Sequence, residues 1–123
     1  MTEDEVYGLI GEQGFARLVA AFYRRVPTDD ILGPLYPPRD LAGAEERLRD
    51  FLIFRFGGSM RYIEHRGHPR LGMRHGRFPI DAAARDRWLQ NMDEAFAEAE
   101  IPPEAVAVLR PFFEGTAKFL QNS

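Results

Sequence analysis

The chain has 123 residues, a net charge of -3 and a pI near 5.6, a size that fits one domain able to bury most of its apolar surface without disulfide or metal staples. Its lack of cysteine excludes disulfides, thiolate metal ligands and thiol catalysis. No stretch approaches the roughly 20 apolar residues that cross a bilayer, the start Met1-Thr-Glu-Asp-Glu-Val6 is acidic, and the acidic balance argues against general nucleic-acid affinity, so a cytoplasmic protein off the membrane is expected.

Apolar residues recur at helical spacing and no stretch alternates with period two, so the chain reads as all-α. A short helix is predicted from about Glu3 to Ile10 and a longer one from about Gly14 to Val26. The longer one carries Phe15, Leu18, Val19, Phe22 and Val26 on one face, with Tyr23 beside it. Residues 27–38 contain Pro27, Pro34, Pro37, Pro38 and Gly33, which makes them a packed turn region in which Leu35 and Tyr36 must find a place. Asp40 is positioned to cap a helix running to about Phe56, with Leu41, Ala44, Leu48, Phe51 and Leu52 inward and Gly57-Gly58 at its end. Glu45 and Glu46 are spaced to pair with Arg49.

Residues 57–79 form a cationic segment in an acidic protein. Arg61, Arg66, Arg70, Arg74, Arg77 and all three histidines of the chain face the single acid Glu64. A connection this long is usually functional or disordered, and its aromatic and aliphatic content argues for function. Its charge suits an anion: a propionate, a phosphate or, last because stacking residues are few, an RNA backbone. Asp81 then caps a helix to about Glu98, with Trp88, Leu89, Met92, Ala95, Phe96 and Ala99 inward. Pro102-Pro103 opens a final helix carrying Val106, Leu109, Phe112, Phe113, Thr116 and Leu120. Of the ten phenylalanines, Phe15, Phe96 and Phe112 are assigned to packing.

Within the cationic segment, His75 stands in Leu71-Gly-Met-Arg-His-Gly-Arg-Phe-Pro-Ile80. A neutral imidazole is a good ligand for iron, zinc or copper. One such ligand holds a haem if apolar walls receive the macrocycle and cations receive its propionates, and Leu71, Met73, Phe78 and Ile80 alternate here with Arg70, Arg74 and Arg77. The same residues admit other readings: a hydrogen-bonded core histidine, a haem-free zinc site of His65, His68 and His75 at spacings of three and seven, or a helical interaction module. Tyr23, Tyr36 and Trp88 lie on or beside apolar faces, where a hydroxyl or indole without a partner costs about 1–3 kcal/mol. A polar ligand inside the core would be such a partner.

Several motifs together resemble the group II truncated haemoglobins of bacteria and plants, over almost the whole chain. They are Phe22-Tyr23, Leu35-Tyr36-Pro37, the helix opening Asp40-Leu-Ala-Gly-Ala-Glu-Glu-Arg-Leu-Arg49, Gly57-Gly58, Arg66-Gly-His-Pro-Arg-Leu71, Met73-Arg-His75 and Asp86-Arg-Trp88. The resemblance implies a two-over-two helical sandwich around a haem b pocket, with His75 as the proximal iron ligand. It implies that Tyr23 points its hydroxyl at a bound gas and that Tyr36 and Trp88 are the other distal polar groups. Ala44 stands where many globins keep a distal histidine. Phe22, Leu48, Phe51 and Leu52 would wall the distal side, and Leu71, Met73, Phe78 and Ile80 the proximal side. Arg74 and Arg77 are the first candidates for the propionates, with Tyr62, Arg66 and His68 second. The implied function is high-affinity binding and slow release of dioxygen, with nitric oxide, carbon monoxide, cyanide and sulfide as further ligands and oxygen transport as a role. The alternative is a nitric oxide dioxygenase or peroxidase-like enzyme drawing electrons from an external reductase. Either would act as a monomer or homodimer. The family often reads Trp-Gly-Gly-Pro where this chain has Phe56-Gly-Gly-Ser59, so a looser turn is expected there.

Overall fold

A computed structural model describes residues 1–57 and 80–121, with Leu120 described by its backbone alone. The described residues form four α-helices, with three short 3₁₀ turns between the first and the second and no strand among them. Helix α1 spans Glu3–Arg25, α2 Leu41–Arg55, α3 Ala82–Glu98 and α4 Pro103–Leu120. Helix α1 packs on α2, α3 and α4, and α3 packs on α4.

The two predicted N-terminal helices are one element with a break at Gly11, whose backbone lies at φ 65 and ψ -177. That left-handed φ strains any residue with a Cβ, so glycine is what lets the chain turn there. Tyr7 and Phe15 stack across the break at 6.4 Å. From Phe15 onward the inner face follows the helical stripe: Phe15, Leu18, Val19, Phe22 and Val26 are all fully buried. Leu52 and Ile53 of α2, Met92 and Ala95 of α3, and Leu109 and Phe113 of α4 complete the centre of the core.

The helix ends follow local chemistry with one exception. The Asp81 carboxylate accepts from Ala84 N–H at 2.8 Å, and Pro102-Pro103 opens α4 as expected. Gly57, at φ 97, ends α2. Pro111 interrupts the backbone ladder of α4 without ending the helix. Asp40 sits at the start of α2, but its side chain makes no capping bond. Its carboxylate is taken by Arg47, at 2.7 and 3.4 Å, because a guanidinium two turns on offers two charge-assisted donors. Glu100, which no pattern in the sequence marks, takes φ 56 just after α3. Its N–H reaches Ala97 C=O and that of Ile101 reaches Phe96 C=O, so the helix closes in a Schellman turn with a glutamate in the place usually held by glycine. Arg25 bridges Glu94 and Glu98 at 3.2 and 2.6 Å, tying α1 to α3, and Arg110 joins Asp93 at 2.5 Å between α4 and α3.

Candidate functional site

A cavity of about 130 Å³ opens among the helices. An apolar cavity of roughly 150 Å³ already holds a small aromatic molecule. Residues of α2 form one wall, with Ala44, Leu48, Phe51 and Leu52 turned inward. The 3₁₀ region contributes Leu32, Leu35 and Tyr36, while α3 contributes Ala84 and Trp88. Phe112, Phe113, Thr116 and Ala117 of α4 close the far side. Ile80, the residue that follows the cationic segment, is also in the wall.

The polar groups of this apolar space are few, and three of them interact. Tyr23 and Tyr36 meet edge to face with ring centroids 5.6 Å apart. Burial pushes the Tyr23 hydroxyl well above the ordinary tyrosine range, and its interactions with Tyr36 push it further. Burial also raises Tyr36, but hydrogen bonds with Tyr23 and Trp88 pull it partly back. An indole N–H can only donate, so the bond with Trp88 is one the Tyr36 oxygen accepts. The two hydroxyls share the other bond, and either can donate it.

Of the residues expected at the site, Tyr23, Tyr36, Ala44, Leu48, Phe51, Leu52, Ile80 and Trp88 line this one cavity. Phe22 packs behind it, edge-on to Tyr23 at 4.9 Å and tilted against Trp88 at 5.1 Å. Its ring buttresses both side chains from the core. The expected proximal and propionate-binding residues, namely Tyr62, Arg66, His68, Leu71, Met73, Arg74, His75, Phe78 and the neighbouring Arg70, lie outside the described residues, as do Arg77 and the possible zinc ligands His65 and His68. Among the described residues no cluster of His, Asp or Glu could hold a metal ion, and no helix is long and apolar enough to cross a membrane.

Sequence reasoning missed part of the lining. Phe112, assigned to packing, lines the cavity, as do Phe113, Thr116 and Ala117 of the same helix. Periodicity put Phe112, Phe113 and Thr116 on the inner face of α4 but could not tell which of them border empty space, and it did not mark Ala117. Arg47 and Arg85 also border it. Arg47 is held by Asp40, while Arg85 donates to Gln121 at 2.7 Å. Arg85 also pairs with Asp86 at 3.1 Å, so both guanidinium groups at the rim already hold a carboxylate.

A haem needs apolar faces for its ring, cations for two carboxylates and a polar corner for a small ligand. The described residues fit that demand. Leu48, Phe51, Leu52 and Phe112 supply the first, Tyr23, Tyr36 and Trp88 the third, and Arg47 and Arg85, each paired with a carboxylate, are the cations among the described lining residues.

Comparison with known proteins places these features in context. The model of the bacterial-like globin family matches residues 5–122. A group 2 truncated haemoglobin of Bacillus subtilis is 35% identical over 116 residues, covering 94% of this chain and 87% of its own length. The haemoglobin of the thermophilic phototroph Chloroflexus aurantiacus superposes with a TM-score of 0.90 at 44% identity, covering 96% of this chain and 98% of the other. The truncated oxygen-avid haemoglobin of Bacillus subtilis superposes with a TM-score of 0.88 at 35% identity, with 95% and 98% covered.

Proposed function

The chain belongs to the bacterial-like globins and, among them, to the group II truncated haemoglobins, and from that premise we propose that it holds haem b through His75 and binds dioxygen reversibly with slow release. A bound haem supplies an iron with one face left open to a diatomic ligand. Everything that sets affinity beyond that is done by the chain's own residues.

The reading is carried by one observation: Tyr23, Tyr36 and Trp88 converge on a single apolar cavity, with Tyr36 in hydrogen-bond contact with both of the others. With Ala44 in the wall, α2 offers no hydrogen-bond donor from that side chain. Polarity towards a ligand then comes from the trio, with Tyr23 proposed to point its hydroxyl at the bound gas and Tyr36 and Trp88 as the other distal polar groups. This arrangement costs little reorganisation when a polar ligand arrives, because the donor is already held in a dry site. Oxygen avidity, named for the Bacillus subtilis relative, is the behaviour such a site favours. Arg47 and Arg85 are proposed as cations for the haem carboxylates, beside Arg74 and Arg77. Phe22 is proposed as support for Tyr23 and Trp88 rather than as a ligand contact.

Stopped-flow oxygen dissociation tests this. One hydrogen bond to a ligand is worth about 1.4 kcal/mol at the upper end of the neutral range, so Tyr36→Phe should release oxygen about tenfold faster. Tyr23→Phe, which removes the hydroxyl proposed to face the gas, should have an effect of similar size, and Trp88→Phe should also speed release. Release rates unchanged in all three variants would overturn the distal assignment.

A further inference from the structure

The most developed polar structure outside the cavity is centred on Asp29, in the turn between α1 and α2. Its side chain is only 6% exposed although it carries a charge. Burial alone would raise its pKa, but bonds from Leu32 N–H, Asn91, Ile31 N–H and Arg87 outweigh that and hold it below the ordinary carboxylate value.

The two carboxylate oxygens divide the work. Oδ1 accepts the backbone N–H groups of Ile31 and Leu32, both at 2.8 Å, which shapes the turn leading to Tyr36. Oδ2 accepts Asn91 Nδ2 at 2.9 Å and Arg87 Nη1 at 3.3 Å, both from α3. Asn91 is itself buried, at 5% exposed. Arg87 precedes Trp88 in the chain, and Asn91 lies one turn beyond it. A single carboxylate thus joins the turn that carries Tyr36 to the stretch of helix that carries Trp88, the two residues whose hydrogen bond borders the cavity.

We infer that Asp29 is a positioning residue for the distal site: with Asn91 and Arg87 it sets the Tyr36 oxygen against the Trp88 indole and so controls ligand release. A clasp needed only for folding could have tied any two points of the turn and helix. This one ends one residue before and three residues after Trp88 on the helix side, and seven residues before Tyr36 on the other. The inference rests on the haem reading for its effect on release, but not for its effect on Trp88.

Asp29→Asn dissects the clasp. The retained carbonyl oxygen can still serve Ile31 and Leu32, while the new NH₂ confronts the Arg87 guanidinium and keeps Asn91 only if that amide turns its oxygen round, so the charged link to α3 is lost and the turn survives. Asn91→Leu removes the same link from the other side at similar volume. Because the chain has one tryptophan, its indole N–H gives a single ¹H–¹⁵N side-chain resonance, read in the reduced, carbon monoxide-saturated protein or in the protein as purified should it take up no haem. Both variants are expected to move that resonance upfield and speed oxygen release, and neither should do so further in a Tyr36→Phe background. A resonance left unchanged in folded Asp29→Asn and Asn91→Leu would overturn the inference. So would a shift of equal size with and without the Tyr36 hydroxyl, which is what general loosening would give. Absence of haem uptake would sink the haem reading alone, with the indole resonance still deciding the positional claim.

Discussion

His75→Ala is expected to fold and to lose stoichiometric haem, with the largest functional effect of any single substitution in the chain. The expectation follows from what the rest of the protein lacks. The chain has no cysteine and only three histidines, and among the described residues the cavity wall holds no imidazole or thiolate. Tyr23 and Tyr36 are poor replacements, since burial keeps both hydroxyls above their ordinary range and therefore protonated. Contacts between the macrocycle and apolar side chains would persist in the variant, so loose binding is expected to remain, without the spectrum of a histidine-ligated haem. External imidazole should restore that spectrum by refilling the missing ligand position. His65→Ala and His68→Ala serve as controls and should retain haem. Full retention of the wild-type spectrum by His75→Ala would remove this residue from the iron.

Phe22→Ala should destabilise the protein by about 3–5 kcal/mol, a cost typical of deleting a large ring from a packed core. Whole domains are stable by only about 5–15 kcal/mol, so this one change would consume much of the margin. Phe22 is fully buried and touches the rings of both Tyr23 and Trp88. The loss should therefore appear twice, as a lower midpoint in urea unfolding and as faster ligand release from a loosened distal trio. Phe22→Leu, which keeps most of the volume, should recover most of the stability. If Phe22→Ala cost less than about 1 kcal/mol, as a peripheral position would, its ring could not be the support assigned to it.

The helices were legible because the signals that mark them are local. Asp81 three residues before Ala84, the Pro102-Pro103 pair and Gly57 each act within one turn, and the stripe from Phe15 to Val26 needs only a helical period. The same periodicity placed Ala44, Leu48, Phe51, Leu52 and Trp88 on inward faces, and the motif resemblance added Tyr23 and Tyr36 to them. Less local features were hidden. Asp40 looked like a cap because its position in the chain is right, yet Arg47 outbids the backbone for its carboxylate. Asp29 reads as an ordinary turn residue, since its partners Arg87 and Asn91 are 58 and 62 residues away. Phe112 and Leu109 share one apolar stripe, but Leu109 meets the packed centre and Phe112 the cavity, a difference set by what faces them and not by their spacing. The Gly11 break was foreseen as a gap between two helices, although backbone geometry makes it a bend within one.

Optical titration of the full chain with haemin, followed by reduction under oxygen and then carbon monoxide, tests the central claim most directly. One haem per chain with a Soret band that shifts with each gas is the predicted result. Folded protein that takes up no haem, or takes it up without responding to either gas, would contradict the account.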